Sequence, residues 1–134
     1  MKLFLDTNVL ASALMSHGLC REFLNRALIN HTVIIGDPVR DELHRVLTTK
    51  FRVPPSLWKQ LATKLKKLER APASNTRLNH PIPDPDDIPI LACALAAGAE
   101  LFITGDKALL ELGEVEGMPV VSPREAWGRI QSTP

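Results

Sequence analysis

Short apolar runs alternate with segments of helical periodicity along the chain. Aliphatic runs of a few residues, without polar alternation, are typical of parallel strands covered on both faces. Such runs predict strands over residues 2–5, 32–35, 101–104 and 119–121. Strands that alternate with helices predict an α/β fold with a central parallel sheet flanked by helices.

Helix signals fill the intervals between these strands. An Asp-Pro pair predicts the start of a helix over residues 37–50, because aspartate caps a helix and proline fits its first turn. Leucines at helical spacing predict an amphipathic helix over 56–70 with a basic outer face. An apolar helix is expected over 88–97, and a capping box with proline predicts a last helix from residue 122.

Length and composition narrow the class of protein. A chain of 134 residues is expected to form a single domain over 1–134. With 45% hydrophobic and 23% charged residues, it has the composition of a globular protein. Aromatic residues make up only 4%, which argues against a platform that stacks successive nucleic-acid bases. Cys20 and Cys93 show no metal-ligand spacing, so a reducing cytoplasm is expected. The most hydrophobic later stretch, 88–97, is about half as long as a membrane span requires, so no membrane segment is expected.

Acidic residues stand where strands end or helices begin. Asp6 directly follows the first strand, and Asp106 follows the third after one glycine. Asp87 precedes the apolar helix, and Glu42 falls at the border of an apolar helix face. Loops at the carboxyl ends of parallel strands gather around one crevice, so these acids are candidates for a common site. Each one alone can also be a helix cap or an amphipathic rim residue.

Convergence of these acids would define the chemistry. Crowded carboxylates stay ionised only if protons or a cation compensate their charge. Oxygen ligands without His or Cys favour Mg²⁺ or Mn²⁺, which suit phosphodiester hydrolysis. A phosphatase with Asp6 as nucleophile is a rival hypothesis, but it would want a second aspartate where Asn8 stands.

Four motifs in order resemble the PIN-domain family, most closely its small VapC-like toxins of toxin–antitoxin pairs. They are FLDTNVL (4–10), the glutamate of DELHRVL, DPDDIPILACALAAGA (84–99) and FITGDKALL (102–110). The resemblance implies a three-layer Rossmann-like fold and a Mg²⁺- or Mn²⁺-dependent endoribonuclease. It implies a catalytic, metal-binding set supported by three hydrogen-bonding residues: Asp6, Glu42, Asp87 and Asp106, with Thr7, Asn8 and Thr104.

The resemblance also implies partners, with two departures from the family pattern. It implies an RNA substrate, a cognate antitoxin that holds the protein inactive, and a homodimer. Ala108 stands where related sequences often carry an acid. This departure leaves open whether one or two metals bind, and whether the chain is instead a catalytically weak or inactive RNA- or protein-binding module. Ile88 stands where another Asp is common, so Asp86 and Asp87 compete as third acid; helical phase favours Asp87.

The charges are sorted along the chain, although the net charge is only +1. Residues 45–70 carry eight bases against one acid, and residues 84–116 carry eight acids against one base. Because an acidic site repels phosphates, a basic surface is needed to hold an RNA backbone. The expected RNA-binding residues are Lys64, Lys66, Lys67, Arg40 and Arg45. A solvated helix face is the alternative interpretation of the three lysines.

Overall fold

The structure, a computed structural model, describes residues 1–131. Its strands are β1 (Lys2–Leu5), β2 (Thr32–Gly36), β3 (Glu69–Ala71), β4 (Leu101–Ile103), β5 (Glu114–Val115) and β6 (Met118–Val121). They form one sheet in the order β3-β2-β1-β4-β6-β5. Neighbouring strands are parallel except β5, which pairs antiparallel with β6. The expected α/β fold is confirmed.

Helices connect the strands and cover the sheet. They are α1 (Thr7–Met15), α2 (Leu19–Asn30), α3 (Asp37–Thr49), α4 (Pro55–Leu65), α5 (Ile88–Ala96), α6 (Lys107–Leu110) and α7 (Pro123–Gln131), with a 3-10 turn at Pro85–Asp87. Leu3, Phe4 and Leu5 of β1 are fully buried. Because successive strand residues point to opposite faces, both faces of the sheet are covered. No helix within residues 1–131 is long and apolar enough to cross a membrane.

The helix predicted over 56–70 is wrong at its carboxyl end. α4 stops at Leu65, and β3 pairs in parallel with β2 a few residues later. Leu68 keeps the predicted spacing and is buried, but it belongs to the turn in which its N–H bonds to the Leu65 carbonyl. A sheet contact distant in sequence overrides the local helical pattern here.

The hairpin β5–β6 was not predicted. Its two-residue turn places Glu116 at φ 51° and Gly117 at φ 83°, a geometry that usually selects Asn-Gly rather than Glu-Gly. The Glu116 carboxylate accepts hydrogen bonds from the backbone N–H groups of Asn79 (2.6 Å) and His80 (3.0 Å). This residue therefore tethers the loop that leads to the acidic 3-10 turn.

The centre of the sheet fixes where the chain turns toward its acidic residues. β1 lies between β2 and β4, and the parallel hydrogen-bond pattern continues one residue past the strand ends. The Asp6 N–H donates to the Ile103 carbonyl (2.9 Å), and the Thr104 N–H donates to the Val121 carbonyl (3.0 Å). Asp6 and Thr104 are thus anchored at one edge of the sheet by backbone bonds.

Gly36, the last residue of β2, is predicted to be intolerant of any side chain. A Cβ there would lie 2.7 Å from Cys93 Sγ and 2.9 Å from Phe4 Cζ, so Gly36→Ala should lower the free energy of unfolding by about 1–3 kcal/mol. Gly128→Ala in α7, where an added Cβ would meet no atom within 4 Å beyond its chain neighbours and the helix's own backbone, is the control and should raise it by about 0.5–1 kcal/mol. Urea denaturation of both variants measures these changes in the free energy of unfolding. Equal stability of Gly36→Ala and wild type would contradict the predicted steric clash.

Candidate active site

A cleft of about 470 Å³ opens at the carboxyl edge of the sheet, bordered by α1 and α3. Asp6, Glu42, Asp87 and Asp106 all line it, and we call it the acid cleft. The four acids come from four separate segments: the end of β1, α3, the 3-10 turn and the start of α6. The structure therefore brings together the four acids singled out in the sequence. Asp86 is exposed and does not line the cleft.

Asp6 is the most buried of these acids and the most tightly held. Its Oδ1 accepts from the Thr7 N–H (2.9 Å). Its Oδ2 accepts from the Thr104 hydroxyl (2.8 Å) and from Asn8 Nδ2 (3.2 Å). All three residues expected to support the acids thus contact Asp6 directly, Thr7 through its backbone. Fixed orientation of a carboxylate is what a metal-binding site needs.

Thr104 also links Asp6 to the segment that carries Asp106. It is fully buried, and its hydroxyl oxygen accepts from the Asp106 N–H (3.0 Å) and from Asn8 Nδ2 (3.3 Å). The Asn8 side-chain oxygen accepts from the Gly105 N–H (2.8 Å). The short loop after β4 is therefore held against α1 by side chains that also position Asp6.

The capping interpretation is also correct for Asp106. Its Oδ1 accepts from the N–H groups of Ala108 (2.8 Å) and Leu109 (3.4 Å) at the start of α6. Capping occupies one carboxylate oxygen and leaves the side chain exposed at the cleft. A structural role and a role in the site are therefore compatible for the same residue.

The acids destabilise one another's charged forms. Burial raises the pKa of Asp6 above its ordinary value. Hydrogen bonds from Thr104 and Thr7 oppose that rise in pKa, and the negative charges of Glu42 and Asp106 add to it. Asp6 accepts three hydrogen bonds and still has a raised pKa, which shows how strongly its surroundings disfavour negative charge.

Among the acids of the cleft, Asp87 has the most strongly raised pKa. Partial burial raises its pKa to about 6, with further contributions from the charges of Asp6, Asp84, Asp106 and Glu42. Asp84 caps the 3-10 turn by accepting from the Asp86 N–H (3.0 Å), whereas the Asp87 side chain caps nothing. Asp87 is thus the acid of this turn that faces the other three.

The donor set of the acid cleft suits a hard divalent cation. No His or Cys of the described residues lines it, and carboxylate oxygens favour Mg²⁺ or Mn²⁺ over zinc. The Thr7 hydroxyl, beside Asp6, is buried without a hydrogen-bond partner, so a polar atom is left for a bound group to satisfy. Within residues 1–131 no three acidic, His or Cys side chains are arranged around one ion. Shared coordination therefore requires rotation of the less buried carboxylates.

None of the expected RNA-binding residues lines this cleft. Lys64 and Lys67 line a separate groove with Arg21, between α4 and the α1–α2 pair. Arg45 is exposed and lies 3.8 Å from the Glu42 carboxylate, and Arg40 is half-buried. Lys66, the cap residue of α4, is exposed outside both lining sets.

Two cleft residues were missed by sequence reasoning. Among residues 1–131, Lys50 is the one basic side chain that lines the acid cleft, and Phe51 lines it alongside. Their signal was local: an exposed base and an aromatic residue directly after the predicted helix 37–50. Neither belongs to a motif, so the sequence offered no reason to separate Lys50 from the other seven bases of 45–70.

Comparisons with known proteins cover the segments that carry the four acids. A family model described as PIN domain matches residues 2–108. A chain of the crystal structure of VapBC2 from Rickettsia felis, bound to a DNA fragment from their promoter, is 18% identical with TM-score 0.66, covering 91% of this chain and 98% of that chain. The structure of the PIN domain endonuclease Utp24 is 22% identical with TM-score 0.55, covering 90% and 84%. At such identities the structural matches show the fold. No curated protein matches the chain.

Neutralising Asp87 is predicted to stabilise the metal-free protein. Its pKa is raised from 3.8 to about 6, so stability is lost as pH rises through that window and the carboxylate ionises. In chelator at about pH 7.5, Asp87→Asn should therefore raise the free energy of unfolding, by about 1 kcal/mol after solvent screening. The gain should vanish near about pH 3, below the pKa of 3.8, where Asp87 is protonated in both the folded and the unfolded form.

Urea denaturation at the two pH values measures this difference. Asp86→Asn is the matched control, because Asp86 is exposed and outside the acid cleft. A stability gain for Asp87→Asn that is the same at both pH values would contradict the electrostatic account.

Proposed function

This chain belongs to the PIN-domain family of nucleases, as its sequence motifs suggested, and we propose that it is a Mg²⁺- or Mn²⁺-dependent endoribonuclease. The observation that carries the proposal is the convergence of four carboxylates in one open cleft. Such a site has little use in a purely structural domain, since it raises the pKa of Asp6 and Asp87 and destabilises the folded state at neutral pH.

Each residue of the acid cleft has a role in this proposal. Asp6, Glu42, Asp87 and Asp106 would hold the metal. A bound divalent cation supplies Lewis-acid activation of water and neutralises charge on the phosphodiester. The chain itself contributes orientation. Thr104, Asn8 and the Thr7 backbone fix the Asp6 carboxylate, and the Asp106 cap fixes the start of α6.

RNA contacts outside the acid cleft are part of the same proposal. Lys64 and Lys67 lie with Arg21 along a neighbouring groove, where they could hold backbone phosphates of a longer RNA. Exposed Lys66 and Arg45 and half-buried Arg40 remain candidates outside the two lining sets. Phosphate contacts of this kind position a substrate and carry little sequence information.

The alternative is a catalytically weak or inactive PIN domain that binds RNA or protein. The departure at Ala108 permits it, because a carboxylate found there in related sequences is missing. Ala108 instead contributes its backbone N–H to the Asp106 cap. Retention of all four acids in the cleft favours catalysis, and a cleavage assay separates the two functions.

We further propose that the protein is the toxin of a type II toxin–antitoxin pair, acting in the cytoplasm as a homodimer. The support is the structural likeness to a chain of VapBC2, a complex whose crystal structure contains a DNA fragment from its promoter. A cognate antitoxin would inhibit by covering the acid cleft.

The proposed single domain comprises residues 1–134. The pairing of β6 with β4 supports inclusion of the segment that follows the family match.

Metal-dependent RNA cleavage is predicted for the purified protein. Activity should require Mn²⁺ or Mg²⁺ and disappear in chelator. Asp6→Asn, Asp87→Asn and Asp106→Asn should each lower the cleavage rate by at least about a hundredfold while the fold is retained, because each removes charge from the site. Gel assays with a mixed RNA substrate, beside circular dichroism of each variant, measure both properties.

Asp86→Asn is the matched control in this assay and should cleave like wild type. Equal loss for Asp86→Asn and Asp87→Asn would contradict the assignment of the third acid. No metal-dependent cleavage by folded wild-type protein, under conditions where RNA is bound, would favour the binding-module alternative.

Growth inhibition is predicted when the protein is produced without a partner in bacteria. Wild type should slow growth, and Asp6→Asn at the same soluble level should not, because toxicity requires the acid cleft. Growth curves with quantified expression measure this. Equal toxicity of the two proteins would show that harm arises from something other than the site, and normal growth with abundant wild type would contradict the toxin role.

A further inference from the structure

The outer end of the acid cleft presents an exposed aromatic ring. The chain has four phenylalanines, and Phe4, Phe23 and Phe102 are fully buried. Phe51 is 46% exposed and lines the cleft. Phe51 is thus the one phenylalanine of residues 1–131 whose ring is accessible at the cleft.

Two helices lead from the acids to this ring. α1 and α3 follow neighbouring parallel strands, and both line the cleft at successive turns. The lining residues of α3 are Glu42 and Val46, and its C-cap residue Lys50 continues the spacing of four. With a rise of about 1.5 Å per residue, Lys50 lies about 12 Å along the helix from Glu42. The ring is therefore set beyond the acids, toward the outer end of the cleft.

A fixed turn holds Phe51 in place. Its N–H bonds to the Val46 carbonyl (3.3 Å), and the Val53 N–H bonds to the Leu47 carbonyl (3.0 Å). Val53 is buried, and Arg52 between them adopts φ 53°, a conformation unfavourable for most side chains. The ring is thus presented by an ordered helix end and needs little further ordering on contact with a ligand.

Charge distinguishes this end of the cleft from the other. The inner end holds four acids, whereas Lys50, the residue before Phe51, lines the outer end with an exposed side chain. An aromatic face next to an ammonium group matches a nucleotide, which offers a base to stack and a phosphate to pair. An apolar peptide would use the ring but gain nothing specific from the lysine.

We propose that Phe51 and Lys50 form a nucleotide subsite of the acid cleft, in which the ring stacks on one RNA base and the ammonium group contacts an adjacent phosphate. This inference rests on the proposed ribonuclease function and adds a residue that positions the substrate. One ring does not make a platform for successive bases, in keeping with the low aromatic content. One ring makes the binding affinity depend more on the base at one RNA position than on the neighbouring bases.

Binding of a short single-stranded RNA in chelator, followed by fluorescence anisotropy, tests the subsite without cleavage. Phe51→Ala should weaken binding by about 5- to 100-fold, and Phe51→Trp should preserve it, because stacking needs a flat aromatic face. Lys50→Gln should lower the salt dependence of log Kd by about 0.7, the value for one single-strand phosphate contact. Ile29→Ala and Lys2→Gln are controls for loss of an exposed apolar and an exposed basic side chain away from the cleft.

RNAs with one base removed at successive positions make the test specific. For wild type, one abasic position should weaken binding as much as Phe51→Ala does, and the Phe51→Ala variant should be insensitive to that same change. With Mn²⁺ present, Phe51→Ala should raise KM with kcat largely retained.

The outcomes of these experiments distinguish the nucleotide subsite from the proposed ribonuclease function. Binding of Phe51→Ala equal to wild type would overturn the subsite while leaving metal-dependent cleavage intact. Equal weakening on every abasic RNA would also overturn it, since the ring would then act on structure or on a protein partner. No cleavage by wild type, with base-dependent binding retained at Phe51, would instead overturn the catalytic function and leave the subsite standing.

Discussion

The hydrogen bond from the Thr104 hydroxyl to Asp6 Oδ2 joins the ends of two neighbouring strands, and the geometry of the cleft depends on it. Thr104 has one proton to donate and gives it to Asp6, while its oxygen accepts from the Asp106 backbone and from Asn8. One buried hydroxyl thus connects β1, β4, α1 and the start of α6. Loss of that hydroxyl would leave buried polar groups unpaired, which costs about 1–3 kcal/mol each.

The same arrangement stores electrostatic repulsion. The sheet places Asp6 where burial raises its pKa, and the turn before α5 places Asp87 opposite it. The Asp6 and Asp106 carboxylates are held by hydrogen bonds that also serve the fold, such as the Asp106 cap. The repulsion persists because the elements that carry the acids are fixed by packing, and a bound cation would relieve it. Stability is therefore lower, without a cation, than the fold itself would permit.

The inner half of the site could be predicted from sequence because it is encoded locally. Asp6 follows a strand, Asp87 precedes a helix, and helical phase placed Glu42 at a half-buried border, as the structure has it. The outer half could not, since Lys50 and Phe51 matter only through the packing of α3 beside α1. β3 was missed for the same kind of reason: Leu68 keeps helical spacing, and only pairing with β2 makes the next residues a strand. Charge density along the chain pointed to Lys64 and Lys67, which the fold carries to another groove.

We propose that Asp6, Glu42, Asp87 and Asp106 converge in order to hold a divalent cation. Anomalous scattering from crystals grown with Mn²⁺ locates such an ion independently of activity. We expect a manganese peak in the acid cleft in contact with Asp6 and at least one other of these carboxylates, absent from crystals of Asp6→Asn. A cleft without manganese in crystals of a protein that cleaves RNA in the same buffer would contradict it.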